Sequence, residues 1–187
     1  LLLDFVLKAA LERVGARRGS LMLVSEDGKS LEIAASVGVP EEAARDIVPT
    51  SQSIAGRVAE SRTPLLVRDI GASPEVKDLG RGLSNASFVS VPLERRPAAR
   101  SNDGHRNGSD GQRVLAVLNV NDKTTGGAFS ESDLKALSIV ANHAAAALEN
   151  VRLIGDIENA HFSTLESMAR LLEAKDAYTR GHSDRVQ

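Results

Sequence analysis

The sequence predicts an α+β fold, a mainly antiparallel sheet with helices packed on it, followed by one very long helix. Three observations carry this. Short runs of alternating apolar residues are joined by turn signals such as Asp27-Gly28. Two short helical stretches interrupt those runs instead of alternating regularly with them, which sets the pattern apart from a parallel α/β sheet. From Phe129 to Asp176 the chain has no proline and a single glycine, Gly155.

Leu2, Leu3, Val6, Leu7, Ala10, Leu11 and Val14 share helical spacing, and Gly15 and Gly19 bracket a stop, with Arg17 and Arg18 near the negative helix end. Ser20 to Val24 reads as a strand, and Leu31, Ile33, Ala35 and Val37 alternate as a second one. The Asp-Gly pair between them supplies the positive backbone angles of a hairpin turn, so the two strands pair antiparallel. Pro40 to Ile47 opens with proline and two glutamates, as helices do. Ser53 to Ser61 reads as a second short helix, which Thr63-Pro64 turns into the strand Leu65 to Val67. Ser73 to Gly82 reads as a loop with one helical turn. Ser87 to Leu93 and Arg113 to Asn121 are the next strands, with Val89, Val91 and Leu93 on one face of the former. The polar stretch from Arg95 to Gly111 has almost nothing to bury and reads as a hairpin excursion.

The long helix has a signed start. Ser130 is placed to cap it, Asp133 stands in capping-box position, and Phe129 with Leu134 forms a hydrophobic staple. Leu137, Val140, Ala144, Ala147, Val151, Ile154, His161, Leu165, Met168 and Leu172 then follow at alternating spacings of three and four, interrupted only at Glu158. Such a seam fits a partner helix and predicts a homodimer through parallel helices. At 1.5 Å per residue it would run roughly 54 Å, longer than a small domain is wide. The alternative is a break near Gly155. A second frame, Ile157, His161, Thr164, Met168 and Leu171, overlaps the first, and two registers could let the helix transmit a twist.

Composition narrows the function. Lys+Arg 23 against Asp+Glu 25 gives a net charge of -2, and aromatic residues are 3%. No bulk field draws the chain to nucleic acid or an anionic membrane, and no aromatic platform stacks bases. With no cysteine there is no disulfide, thiolate ligand or thiol nucleophile. No apolar run approaches the ~20 residues of a membrane span, and a cytoplasmic location is expected. A chain that begins with leucine and ends inside a charged helical pattern reads as a piece of a longer protein. No phosphate-binding glycine loop, paired metal-binding histidines or nucleophile elbow occurs, so no catalytic residue and no cofactor is assigned to this segment. Strands interrupted by small helices leave a cup on one sheet face, where a small ligand would sit. Asp69, past its strand, and Phe88 and Ser90 on the next are its expected lining.

Two resemblances add to this reading. Ile54-Ala55-Gly56-Arg57-Val58-Ala59, then Thr63 to Asp69, Ser90-Val91-Pro92-Leu93, Val117 to Asn121 and Phe129 to Asp133 resemble, in that order, a GAF domain, the small-molecule sensor module of many signalling proteins. The resemblance implies a sensor over residues 1–153, with 154–170 as a signalling linker. Ser51-Gln52-Ser53 stands where a Gly-x-Gly turn is common. Of the pattern that recurs in cyclic-nucleotide-binding members, Asn121, Phe129 and Asp133 match, but Asp122 intervenes before Lys123 and Leu134 replaces a glutamate. A Lys123–Asp133 ion pair closing the loop is the structural reading of those residues. The stretch from Leu171 to Val186, with Gly181-His182, resembles the opening of an HD-GYP domain, a metal-dependent cyclic di-GMP phosphodiesterase module. On that resemblance residues 171–187 begin such a domain, His182 and Glu173 would be early ligands of its divalent metal ions, and its other catalytic parts would lie beyond Gln187.

Overall fold

The computed structural model describes residues 2–40, 47–73, 76, 87–95 and 113–183, with side chains described up to Ser167 and at Met168 and Arg170. The chain divides into two units, Leu1–Ala146 and Ala147–Gln187. In chain order the elements are α1 (Leu2–Val14), β1 (Ala16–Val24), β2 (Ser30–Val37), β3 (Ile47–Pro49), a 3-10 turn (Thr50–Gln52), α2 (Ile54–Ser61), β4 (Leu65–Val67), β5 (Phe88–Glu94), β6 (Val114–Lys123) and α3 (Glu131–Ser183). The six strands form one sheet in the order β3-β2-β1-β6-β5-β4, with every neighbouring pair antiparallel.

Local chemistry accounts for most boundaries. The β1–β2 hairpin turns at Gly28, φ +73°, while Asp27 Oδ1 accepts from Ser25 Oγ at 2.7 Å and from the Lys29 amide at 3.0 Å. Ser53 caps α2 by accepting from the Gly56 amide at 2.9 Å, and Arg62 closes it in the left-handed region, its N–H donating to Val58 O at 2.9 Å. At the start of α3 the expected capping box is present: the Asp133 amide donates to Ser130 Oγ at 3.3 Å, and the Ser130 amide donates to Asp133 Oδ2 at 2.8 Å. Phe129 beside it is buried. The helix continues through Gly155 without a break.

Two expectations change. β1 begins at Ala16, so Arg17, Arg18 and Gly19 are strand and not the end of a helix. Gly19 is where α1 crosses the sheet: a Cβ there would lie 2.7 Å from Asn119 O and 3.0 and 3.2 Å from the side chains of Leu11 and Leu7. The helix can approach that closely only because no side chain intervenes. Ile47 belongs to β3, which pairs with β2 through Leu31↔Val48. The helix expected over Pro40 to Ile47 falls largely on residues 41–46, outside the described residues, as do most of Ser73 to Gly82 and the stretch 96–112. β5 is buried on both faces, with Ser90 and Phe88 as enclosed as Val89, Val91 and Leu93.

Two packed layers result. On one face of the sheet Leu7, Ala10, Leu11 and Val14 of α1 are buried, and paired residues such as Leu21, Leu118 and Val91 face that side. On the other, Ala55 and Val58 of α2 pack with Met22, Leu31, Val114 and Val117, while Ile54 packs with Val67, Val76 and Phe88.

Candidate functional site

Residues paired across antiparallel strands share a sheet face, so register alone brings distant side chains together. On the α2 face one row runs Ser36↔Ser20↔Asn119↔Ser90↔Leu65, and the next runs Arg18↔Asn121↔Phe88↔Val67. The face is thereby divided. Its apolar part lies under α2, whereas Ser36, Ser20, Asn119, Asn121 and Arg18 form a polar part that stays half-buried among the described residues.

The polar row is wired internally. Ser90 Oγ donates to Asn119 Oδ1 at 2.7 Å, and Asn119 Nδ2 donates to Ser20 Oγ at 3.4 Å. Arg18 Nε donates to Gly38 O at 2.8 Å, which holds the guanidinium at the margin of this floor. Hydroxyl, carboxamide and guanidinium groups side by side offer donors and acceptors to a small polar molecule, and the Phe88, Ile54 and Val67 cluster beside them is buried core.

Of the expected lining, Ser90 lies in the row and is fully buried, and Phe88 is buried in the core cluster with Ile54 and Val67. Asp69 is exposed just past β4, where its Oδ1 accepts from the Gly71 amide at 2.8 Å and shapes a turn. Ser20, Asn119, Asn121 and Arg18 were not assigned to a cup from the sequence, although polar residues two apart inside otherwise apolar strands were a usable signal. Glu173, His182 and Leu172 fall on the helix, but their side chains lie outside the described residues. Leu137 and Ala144 of the expected seam are buried within the first unit, whereas Val151, Ile154, Leu165 and Met168 are exposed. Among the described residues no group of three His, Asp or Glu could hold a metal ion, and no helix is long and apolar enough to cross a membrane.

The end of β6 leads from this floor to α3. Asp122, at φ +62°, adopts a backbone conformation rare outside glycine and asparagine or aspartate. The next residue, Lys123, pairs with Asp133 in the first turn of α3 and lies 5.4 Å from the Phe129 ring centroid. Asp133 Oδ2 also accepts from the Ser130 hydroxyl at 2.8 Å. Partial burial pushes the Asp133 carboxyl up, but hydrogen bonds from Lys123 and from the Ser130 amide and hydroxyl outweigh it and leave it below the ordinary aspartate range. Ser87, just before β5, adds a second tie: its buried hydroxyl donates to Val67 O at 2.9 Å and accepts from the Phe129 amide at 3.0 Å.

A separate shallow groove of about 370 Å³ opens beside α1, lined by Lys8, Leu11, Glu12, Arg17, Val37 and Thr124 among others. Its charged groups are all exposed and of mixed sign, so it offers a ligand little beyond what the open surface does.

The sequence profile of the GAF domain matches residues 1–148, and the chain belongs to the GAF domain family. Among solved structures, the second GAF domain of DevS from Mycobacterium smegmatis is 19% identical, with a TM-score of 0.62 over 83% of this chain and 96% of that one. A GAF domain/HD domain protein from Geobacter sulfurreducens is 15% identical, with a TM-score of 0.61 over 81% and 92%. Free methionine-R-sulfoxide reductase from Neisseria meningitidis is 20% identical, with a TM-score of 0.60 over 81% and 78%. At these identities the likeness is one of fold. No protein of curated function matches the chain.

Proposed function

We propose that this chain, as a member of the GAF family, is a regulatory sensor that binds a small polar molecule over the Ser20–Asn119–Ser90 floor. It passes the signal through α3, as one half of a parallel homodimer, to an HD-GYP cyclic di-GMP phosphodiesterase module that begins near Leu171. The observation that carries the reading is the placement of Asn119, Asn121 and Lys123 on one strand, the first two on the floor and the third gripping Asp133 at the start of α3. A ligand that shifts β6 therefore acts directly on the helix. The resemblance of residues 171–186 to an HD-GYP opening supports the output, as does the similarity in fold to the Geobacter GAF domain/HD domain protein. Divalent metal ions would belong to that following module.

A ligand-free dimerisation scaffold is the second reading. The observation in its favour is that Asn119 already finds Ser90 and Ser20 as hydrogen-bond partners. A thermal-shift screen of nucleotides, amino acids and organic acids separates the two. A compound present at ~100 times its Kd stabilises by about 2.7 kcal/mol, several degrees in melting temperature. The sensor reading expects such a shift in the wild type and its loss in Asn119→Leu. No shift with any compound would leave the scaffold.

A further inference from the structure

We propose that the molecule bound over the floor is a small carboxylate, held by hydrogen bonds that the floor donates. This rests on the sensor reading above and deepens it by naming the chemistry of the ligand.

Ser90 sets the direction of the polar row. It is fully buried, so water cannot take its hydroxyl hydrogen, and Asn119 Oδ1 accepts it at 2.7 Å. A carboxamide oxygen only accepts, so the amide turns Nδ2 toward Ser20, and Nδ2 donates to Ser20 Oγ at 3.4 Å. The reverse orientation would set Nδ2 against Ser90 and strand the Ser90 hydrogen in the core. The three groups therefore stand head to tail, from β5 across β6 to β1. Ser20 accepts from Asn119 and, among the described residues, its own hydroxyl donates to nothing. That O–H is the open end of the relay. Ser20 is half-buried, and its hydrogen calls for an acceptor from outside the row.

The neighbouring row has the same polarity. Arg18 carries only donors on its side chain, and its Nε already gives one to Gly38 O. Asn121 lies opposite Arg18, and Ser36 lies opposite Ser20. Among the described residues no carboxylate stands in either row. An ammonium group over this floor would meet the Arg18 charge and find no anion to take its hydrogens. A carboxylate meets donors, and its second oxygen remains for another donor of the floor. Hydrogen bonds to a charged acceptor are roughly twice as strong as those between neutral groups, which favours a carboxylate over a neutral carbonyl.

The test measures thermal shifts of the full chain with three sets of probes: acetate, pyruvate, succinate and citrate; ethylamine, putrescine, spermidine and choline; adenosine, guanosine and succinamide. We expect a carboxylate to stabilise the chain and no amine to do so. Calorimetric titration with that carboxylate should show about tenfold weaker binding in Ser20→Ala, which removes the open donor. Asn119→Asp should weaken it further, because the added carboxylate accepts from both serines and repels the ligand. Stabilisation by an amine at least as large as by any carboxylate overturns the ligand class and leaves the sensor reading standing. Stabilisation confined to the nucleosides and succinamide does the same. A carboxylate that binds Ser20→Ala as tightly as the wild type overturns its placement on the relay. No shift with any compound retires the carboxylate and the sensor together.

Discussion

Replacing Gly56 with alanine should disrupt the domain far beyond what one methyl group suggests. Gly56 lies in the first turn of α2, and a Cβ there would stand 1.8 Å from Thr50 O and 2.4 Å from the Thr50 carbonyl carbon and Cα. These are backbone atoms, so no rotamer relieves the clash. Thr50 cannot retreat cheaply either. Its amide donates to Lys29 O at 3.0 Å, and its hydroxyl lies 3.0 Å from Lys29 O and 3.2 Å from Gly28 O. Restoring an ordinary contact needs a movement of about 1.5 Å, which breaks two or three hydrogen bonds worth about 1 kcal/mol each. The same movement lifts Ala55 and Val58 from Met22, Leu31 and Val117. A cost of about 4 kcal/mol follows, a large share of a typical domain's stability of roughly 5–15 kcal/mol. It far exceeds the helix-propensity gain of about 1 kcal/mol that alanine brings. Urea unfolding monitored by circular dichroism measures it. Gly155→Ala is the control: open space surrounds that glycine, and the same substitution there should raise helix stability by up to ~1 kcal/mol. A loss below about 1 kcal/mol at Gly56 would refute the packing argument, since one broken hydrogen bond already amounts to that.

Other expected outcomes are smaller. Because Asp133 has its carboxyl lowered in the folded state, its contribution is present above the ordinary carboxylate range near ~3.9 and is lost as pH falls through the folded value. Urea midpoints followed downward from pH 6 should therefore fall less steeply below pH ~4 in Asp133→Asn than in the wild type; parallel curves would contradict the ion-pair assignment. Ser90→Ala removes a buried donor to Asn119 Oδ1 and should cost about 1–2 kcal/mol at an unchanged urea m-value, with no measurable loss counting against the polar row. Arg68 and Glu131 pair at 3.1 Å but are each 63% exposed, so Arg68→Ala should change stability by less than ~0.5 kcal/mol in the same assay. A larger loss would mean that this pair, and not Lys123–Asp133, ties down the start of α3.

Features governed by neighbours in sequence were legible in advance: the Asp27-Gly28 hairpin, the short helix that follows Ser53, the Ser130 and Asp133 capping box and the uninterrupted long helix. Features decided by distant neighbours were not. Gly19 looks like a helix stop until α1 is seen lying on it, and Ile47 becomes a strand only because Leu31 and Glu32 pair beside it. Leu137 and Ala144 show why spacing alone misleads, since a helix packed on its own sheet and a helix packed on a second helix bury residues at the same intervals. The floor was half visible. Ser90 and Phe88 were legible, but Ser20 and Asn119 are 99 residues apart and meet only through the register of β1 and β6.

The most direct test of the whole account is native mass spectrometry of the purified chain, which reports subunit number and retained small molecules together. The account predicts a dimer that carries a discrete small added mass, with the mass absent from Asn119→Leu and the dimer still present. A monomer with nothing bound, at concentrations where the wild type is folded, would contradict both the sensor and the helix pairing through which it acts.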